Sequence, residues 1–263
     1  MAGMARAGAE MAEPAGAVLI TGAARRLGAA MALAMAEDGR DVALHCHRSQ
    51  AEAEALALTI RRLGRRAVVV AADLARESAV ERVIDAACDA LGPLAILVNN
   101  ASTFQLDRLA TADRASWDRH LETNLRAPIV LSQRFVAQLG ASGRGLIVNL
   151  LDQRVGNLTP NFLSYSIAKV GLWAATQVLA RELAPRVRVN AIGPGPVLPA
   201  PGTSQARFDE LVRATPLGIA TTPEQIAQAL RFIVASPTMT GQLITLDSGQ
   251  QLGWLTPEAP QLD

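Results

Sequence analysis

Short runs of continuous apolar residues take turns along the chain with longer stretches in which apolar positions return every three or four residues. The runs AVLIT (17–21), DVALHC (41–46), RAVVVAA (66–72), LAILVNN (94–100), GLIVNLL (145–151), RVRVNAI (186–192) and QLITLD (242–247) read as seven strands. Each is too apolar for a half-solvated sheet, so both faces are expected to be covered. The periodic stretches predict helices over 26–38, 50–64, 77–91, 113–140, 163–184 and 223–236. This βαβ rhythm implies an α/β fold, a doubly wound parallel sheet of seven strands with helices on both faces. No repeat or interdomain linker interrupts it, so residues 16–263 are expected to form a single domain behind a flexible tail, MAGMARAGAEMAEPA (1–15). The largest irregular stretch is GPGPVLPAPGTSQARF (193–208), after the sixth strand. Ligands bind at the carboxyl ends of parallel strands, which makes 193–214 either a substrate lid or a passive loop.

Composition narrows the partners. Of 263 residues half are hydrophobic, enough for a large core, and the formal net charge is +1. No long basic run marks a nucleic-acid or membrane-surface binder, so a small-molecule partner is expected. Cys46 and Cys88 are the only cysteines, without the companions of a metal site or a disulfide framework, and two reduced thiols suit a reducing cytoplasm. No segment approaches the roughly 18 consecutive apolar residues of a membrane helix. The N-terminal stretch lacks the apolar core of a secretory signal.

The candidate chemistry starts at TGAARRLG (21–28), where the first strand turns into a helix. Gly22 and Gly28 would let backbone amides approach a phosphate, with Leu27 offering its amide from the helix start. Two arginines, Arg25 and Arg26, stand where such loops are usually small. At the end of the second strand, where an acid holds the ribose 2′-hydroxyl of NAD, this chain has HCHRS. His47, Arg48 and Ser49 present no carboxylate and at least one fixed positive charge, so a 2′-phosphate would be attracted and NADPH is the expected cofactor. His45 and Cys46 belong either to the core or to an adenine pocket. Tyr165 and Lys169 stand four apart and share one helical face, where an ammonium would favour phenolate and lower the phenol's pKa from about 10.

These motifs, together with NNAS (99–102), TNLRAP (123–128) and RVNAIGPG (188–195), resemble the ordered set of the short-chain dehydrogenase/reductase family from residue 17 onward. The resemblance implies a Rossmann fold in which Tyr165 exchanges a proton with substrate, Lys169 also holds the nicotinamide ribose, and Asn124 supports a water chain near that lysine. Asn100, Ala101, Pro194 and Gly195 would line the cofactor, with Asp73 and Leu74 against adenine, unless Asp73 serves instead as a helix N-cap. The family also implies a homotetramer built through 223–236 and 242–247, for which QALRFIVAS carries apolar residues on more than one face. Thr21 is expected to tie the loop to a neighbouring strand.

One position departs from the family. A serine usually lies thirteen residues before the tyrosine, and here Asp152 does. A carboxyl donates a hydrogen bond only when protonated, which suits a plain ketone poorly. In a closed apolar site it could relay a proton to a nitrogen heterocycle that receives hydride on the adjacent carbon. With TGAARRLG, HCHRS and NNASTF, Asp152 gives a similarity to the pteridine and dihydromonapterin reductases within the family. That resemblance implies that Arg26, in place of the middle glycine, reaches both cofactor phosphates and the pterin edge, while Arg25 faces solvent. Phe104 would sandwich the ring against nicotinamide, or else pack in the core. Ser102 would bond the pterin or a phosphate, or make a local turn contact. The function implied is NADPH-dependent reduction of a 7,8-dihydropterin to the tetrahydro form. A carbonyl reductase of 3-oxoacyl thioesters, or a catalytically dead nucleotide sensor or scaffold, are the alternatives.

Overall fold

A computed structural model describes residues 16–200 and 202–253; the expected tail at 1–15 and the C-terminal WLTPEAPQLD lie outside them. Seven parallel strands form one sheet in the order β3-β2-β1-β4-β5-β6-β7. They are β1 (Ala17–Ile20), β2 (Val42–Cys46), β3 (Ala67–Ala71), β4 (Leu94–Asn99), β5 (Gly145–Leu150), β6 (Val187–Pro194) and β7 (Leu243–Leu246). The helices are α1 (Arg26–Glu37), α2 (Gln50–Arg62), α3 (Glu77–Leu91), α4 (Arg114–Leu121), α5 (Ala127–Gln138), α6 (Leu163–Glu182), α7 (Gln205–Arg213) and α8 (Pro223–Val234). The chain is thus a single Rossmann-like domain with helices on both faces.

Strand side chains alternate between two cores, as a pleated ribbon requires. Val18 and Ile20 join Met31 and Met35 of α1 and Ile226, Leu230 and Ile233 of α8 on one side. Leu19 and Leu97 join Val83 and Ile84 of α3 and Leu131 and Phe135 of α5 on the other. Both faces of β1, β2, β4 and β5 are therefore buried, and the continuous apolar runs follow from that.

Strand order reverses at β1 and β4, the crevice where doubly wound sheets hold ligands. There the glycine turn after β1 meets the end of β4. Thr21 Oγ1 accepts from the amides of Asn100 and Ala101, both at 2.9 Å, and donates to Val98 O at 3.3 Å. Asn100 Nδ2 donates to Thr21 O at 2.8 Å. Gly22 has φ +63°. A Cβ on Gly28 would stand 2.3 Å from the Gly22 carbonyl oxygen, so α1 approaches the turn closely only because that position lacks a side chain.

Two expectations are corrected. The helix over 113–140 is interrupted by a π turn, Glu122–Arg126, between α4 and α5. The stretch 193–208 is not wholly irregular, because α7 begins inside it, with Ser204 Oγ accepting from Arg207 N as its N-cap. Among the described residues no helix is long and apolar enough to cross a membrane, and no cluster of His, Cys, Asp and Glu could hold a metal.

Candidate active site

A cavity of about 480 Å³ opens over the carboxyl ends of β1, β4, β5 and β6. It brings together Arg26, Leu27, Asn100, Ser102, Phe104, Asp152, Tyr165, Lys169, Pro194 and Gly195 from the expected set. Its floor is the start of α6. Tyr165 and Lys169 are both buried, and the Lys169 ammonium donates to Leu150 O at 2.7 Å. The Tyr165 hydroxyl donates to Asp152 Oδ2 at 2.8 Å.

The lysine does not lower the tyrosine's pKa as the four-residue spacing suggested. Burial, then the charge of Asp152 and the hydrogen bond to it, hold the Tyr165 phenol well above 10, opposed by Arg154 and a hydrogen bond with Ser102. Lys169 Nζ lies 5.7 Å from the ring centroid and is pushed down to about 8, chiefly by burial. The phenol is thus a firmly held proton donor.

Asp152 does not sit in a closed apolar site. Arg154, which the sequence reading passed over, places Nη1 3.2 and 3.3 Å from the two carboxylate oxygens and donates its backbone amide to Oδ1 at 2.9 Å. The residue lies on a 3-10 turn, Gln153–Val155, for which Asp152 is the N-cap. A spacing of two, with a cation just past the acid, is a signal too common to single it out.

Phe104 stacks on Phe162, centroids 4.2 Å apart and planes 12° apart, and meets the Tyr165 ring edge-on at 4.8 Å. One face of Phe104 therefore lies against Phe162, while the residue stays 37% exposed. The Arg154 guanidinium carbon is 5.4 and 5.0 Å from the two centroids. Near-equal distances put it beside the pair rather than beyond either ring. Phe162 has φ +62°, a left-handed conformation that sequence does not reveal for phenylalanine.

A buried network fixes these rings. Gln105 N–H donates to His120 Nε2 at 3.1 Å, so His120 carries its proton on Nδ1, which donates to Ser164 Oγ at 2.6 Å. Ser164 donates in turn to the Asp107 carboxylate, which also accepts from Ser164 N at 3.1 Å. The Asp107 carbonyl accepts from Phe162 N and Leu163 N at 2.8 and 3.2 Å. Asp107 thereby caps α6 from a distant loop, in place of the missing side-chain cap. Asn124 works on the same loop: its Nδ2 donates to Thr103 O and its Oδ1 accepts from Thr103 N, both at 2.8 Å. Its side chain braces the 102–104 segment. Ser102 Oγ makes the local contact, to Thr103 O at 3.3 Å.

Arg26 has φ +56°, so the position that takes arginine here is one whose backbone favours glycine. Its guanidinium donates to Pro199 O at 2.8 Å and Leu198 O at 3.2 Å, clasping the segment after β6. Arg25 is exposed, 3.7 Å from Glu52. Gly195 is required by packing, since a Cβ there would meet Asp247 Cα at 2.6 Å.

On the other side of β1 from the cavity lie the ends of β2 and β3. The start of α1 has neither a side-chain cap nor an acidic residue in its first turn, which leaves its amides for an anion. His45 Nδ1 accepts from Gly22 N at 3.1 Å, so Nε2 carries the proton and donates to Ala72 O at 3.1 Å. Burial pushes His45 down to about 4, and it is a neutral strut for the turn. His47 Nε2 lies 3.9 Å from Asp73 Oδ2, Arg48 is exposed beside them, and Leu74 is buried. Asp73 is not a helix N-cap: α3 starts at Glu77 after Arg76, and Asp73 Oδ1 instead accepts from Ala75 N at 3.1 Å. Ser49 precedes α2 without capping it. A terminus lacking acids and a strand end bearing His47, Arg48 and Ser49 fit a dinucleotide with a 2′-phosphate.

Residues 16–210 match the family model described as short chain dehydrogenase. The chain is 37% identical over 248 residues to an uncharacterized oxidoreductase of Mycobacterium tuberculosis, covering 88% of this chain and 90% of the relative. It is 30% identical to a 3-oxoacyl-acyl-carrier-protein reductase of Aggregatibacter actinomycetemcomitans, covering 88% and 98%. Among solved structures, the FolM alternative dihydrofolate reductase 1 of Brucella suis, in complex with NADP, superposes with a TM-score of 0.88 at 44% identity, covering 92% of this chain and 97% of that one.

Proposed function

Because the chain belongs to the short-chain dehydrogenase family, and is an oxidoreductase on that ground, we propose that it reduces a pterin C=N bond with NADPH, taking a 7,8-dihydropterin or dihydrofolate to the tetrahydro form. The observation that carries this reading is the Tyr165 hydroxyl bonded to the Asp152 carboxylate at 2.8 Å beneath an aromatic wall. Reduction of C=N adds hydride to carbon and a proton to nitrogen. Bound NADPH supplies the hydride. Tyr165 and Asp152 hold one proton between two oxygens, and a substrate nitrogen within reach of either can take it, after which solvent reprotonates the pair. Lys169 and Asn100 hold the nicotinamide end, Arg26 and the α1 amides the phosphates, and His47, Arg48 and Ser49 the 2′-phosphate. Phe104 stacks one face of the ring, with Ser102 at its edge. Residues 193–214 act as the substrate lid. The 44% identity to a dihydrofolate reductase supports the same class of substrate.

A second reading, reduction of a 3-oxoacyl thioester, is favoured by the Tyr165–Lys169 pair and the acyl-carrier-protein reductases at about 30% identity. NADPH oxidation with dihydrobiopterin, dihydrofolate and acetoacetyl thioester separates the two. Turnover of a pterin without thioester is the expected result; thioester turnover alone would replace the proposal with the second reading. The family also leads us to a homotetramer through α8 and β7. In support, β7 is a sheet edge and Phe232 on α8 is 56% exposed.

A further inference from the structure

The charge lining the cavity is lopsided. Among the described residues, Arg26, Arg108, Arg154, Lys169 and Arg207 face it, against the single carboxylate of Asp152. Three of the five cations have work. Arg26 holds the lid and stands at the phosphate end, Lys169 is bound to Leu150 O, and Arg154 is neutralised by Asp152. Arg108 and Arg207 remain. Arg108 Nε donates to the buried amide oxygen of Asn161 at 2.6 Å, a neutral partner that aims the guanidinium without cancelling its charge. Among the described residues no carboxylate pairs with it. Arg207 lies on α7 beside Phe208 and Leu211, both of which also face the cavity. It pairs with Glu210 of the same helix, the Arg207 side chain 26% and that of Glu210 55% exposed, and an intrahelical pair whose acid faces solvent contributes little and leaves the cation open to a second anion. Both arginines are partly exposed, whereas Tyr165 and Lys169 are buried, so the two cations lie on the solvent side of the reacting groups.

A cavity that gathers cations beyond the needs of its own acid is suited to a ligand carrying negative charge there. We propose that Arg108, from the loop after β4, and Arg207, from the lid helix, form a subsite for an anionic tail on the flat ring, carboxylate or phosphate. This deepens the pterin reading and rests on it. The ring would be held at Phe104 and Tyr165, and the tail would run outward to two guanidiniums whose paired N–H donors match either anion. The enzyme would then prefer a folate-like or phosphorylated pterin over one with a neutral side chain. Because Arg207 rides on α7, the tail would also draw the lid helix onto the bound ring.

The test is calorimetric titration of the NADP⁺-loaded protein with folate, with 6-hydroxymethylpterin and with its phosphate ester, for the wild type, Arg108→Met and Arg207→Met. Methionine keeps the apolar stem. Thermal melts and Arg108→Lys serve as the check on folding. Each methionine variant should lose about 10–100-fold in affinity for an anionic probe, the worth of a charged hydrogen bond, while the neutral pterin changes by less than about twofold. A larger loss for folate identifies a carboxylate tail, and a larger loss for the ester a phosphate. Equal losses on all three probes, or none, overturn the subsite. If the neutral pterin alone fails to bind the wild type, the tail supplies most of the affinity, and arginine dependence of the two anionic probes, which carry the same ring, upholds the subsite and the pterin reading together. If no probe binds, both fall.

Discussion

Tyr165 is the only tyrosine in the chain, so tyrosinate absorbance reports the proton donor without background. Its phenol is held up by burial and by Asp152, while Arg154 acts against them. Asp152→Asn is therefore expected to move the onset of tyrosinate absorbance to lower pH, and Arg154→Met to move it higher. The reverse order in an ultraviolet pH titration would mean that these charges do not govern the proton. The same variants bear on turnover. Losing one member of an acid–base pair typically costs about 10²–10⁴-fold, and Asp152→Asn should lose that much dihydropterin reduction while NADPH still binds. Undiminished turnover would reduce Asp152 to a brace for the 3-10 turn.

At the scale of elements, two histidines are buried as neutral struts, His45 under the glycine turn and His120 beneath α6. Burial lowers the proton affinity of both, His45 to about 4. Above about pH 6.5 the folded and unfolded chains are both neutral at these sites, and nothing is lost. As pH falls further the unfolded chain takes up protons that the folded one refuses, so stability declines, by about 3 kcal/mol for His45 once pH has passed through its folded value of about 4. The thermal midpoint should drop between pH 6.5 and 4, and His45→Gln should flatten the slope. A wild-type midpoint that is level over this range would refute the neutral-strut assignment.

Much of this architecture is legible in the sequence, because strands covered on both faces must be apolar throughout and helices must carry a stripe. The helix Gln205–Arg213 was hidden by the prolines and glycines before it, although Ser204 followed by Phe208 and Val212 at helical spacing was a usable signal. Tyr165, Lys169 and Asp152 stand out because motif spacing reflects one helix face and one strand end. The Asp107–Ser164–His120 network does not: its members lie 13, 44 and 57 positions apart, and only the fold makes them neighbours. The same holds for Phe162, whose role depends on a left-handed backbone.

For the whole molecule, the proposed assembly rests on the outward side of α8 and the free edge of β7. In the proposed homotetramer Phe232 should sit between subunits, and Phe232→Arg is expected to give a smaller species than the wild type in light scattering at micromolar concentration. A wild-type monomer would end the idea. Deeper in the body, the π turn at Glu122–Arg126 separates two halves with different anchors. On one side α4 is tied to the ligand cavity through His120. On the other, Arg126, the last residue of the turn, and Arg134 of α5 are paired with Glu77 and Asp85 of α3, which packs against the back of the sheet. A π turn holds one residue more than an α turn, so it acts as a phase shifter in a long shaft. Deleting a single residue within it would rotate one half against the other by roughly 100° and shorten the shaft by about 1.5 Å. His120 would then leave Ser164 even if every contact on the α3 side survived. The angular phase between scaffold and site is thus set by one inserted residue, and a length change there would disable the site with no substitution in it.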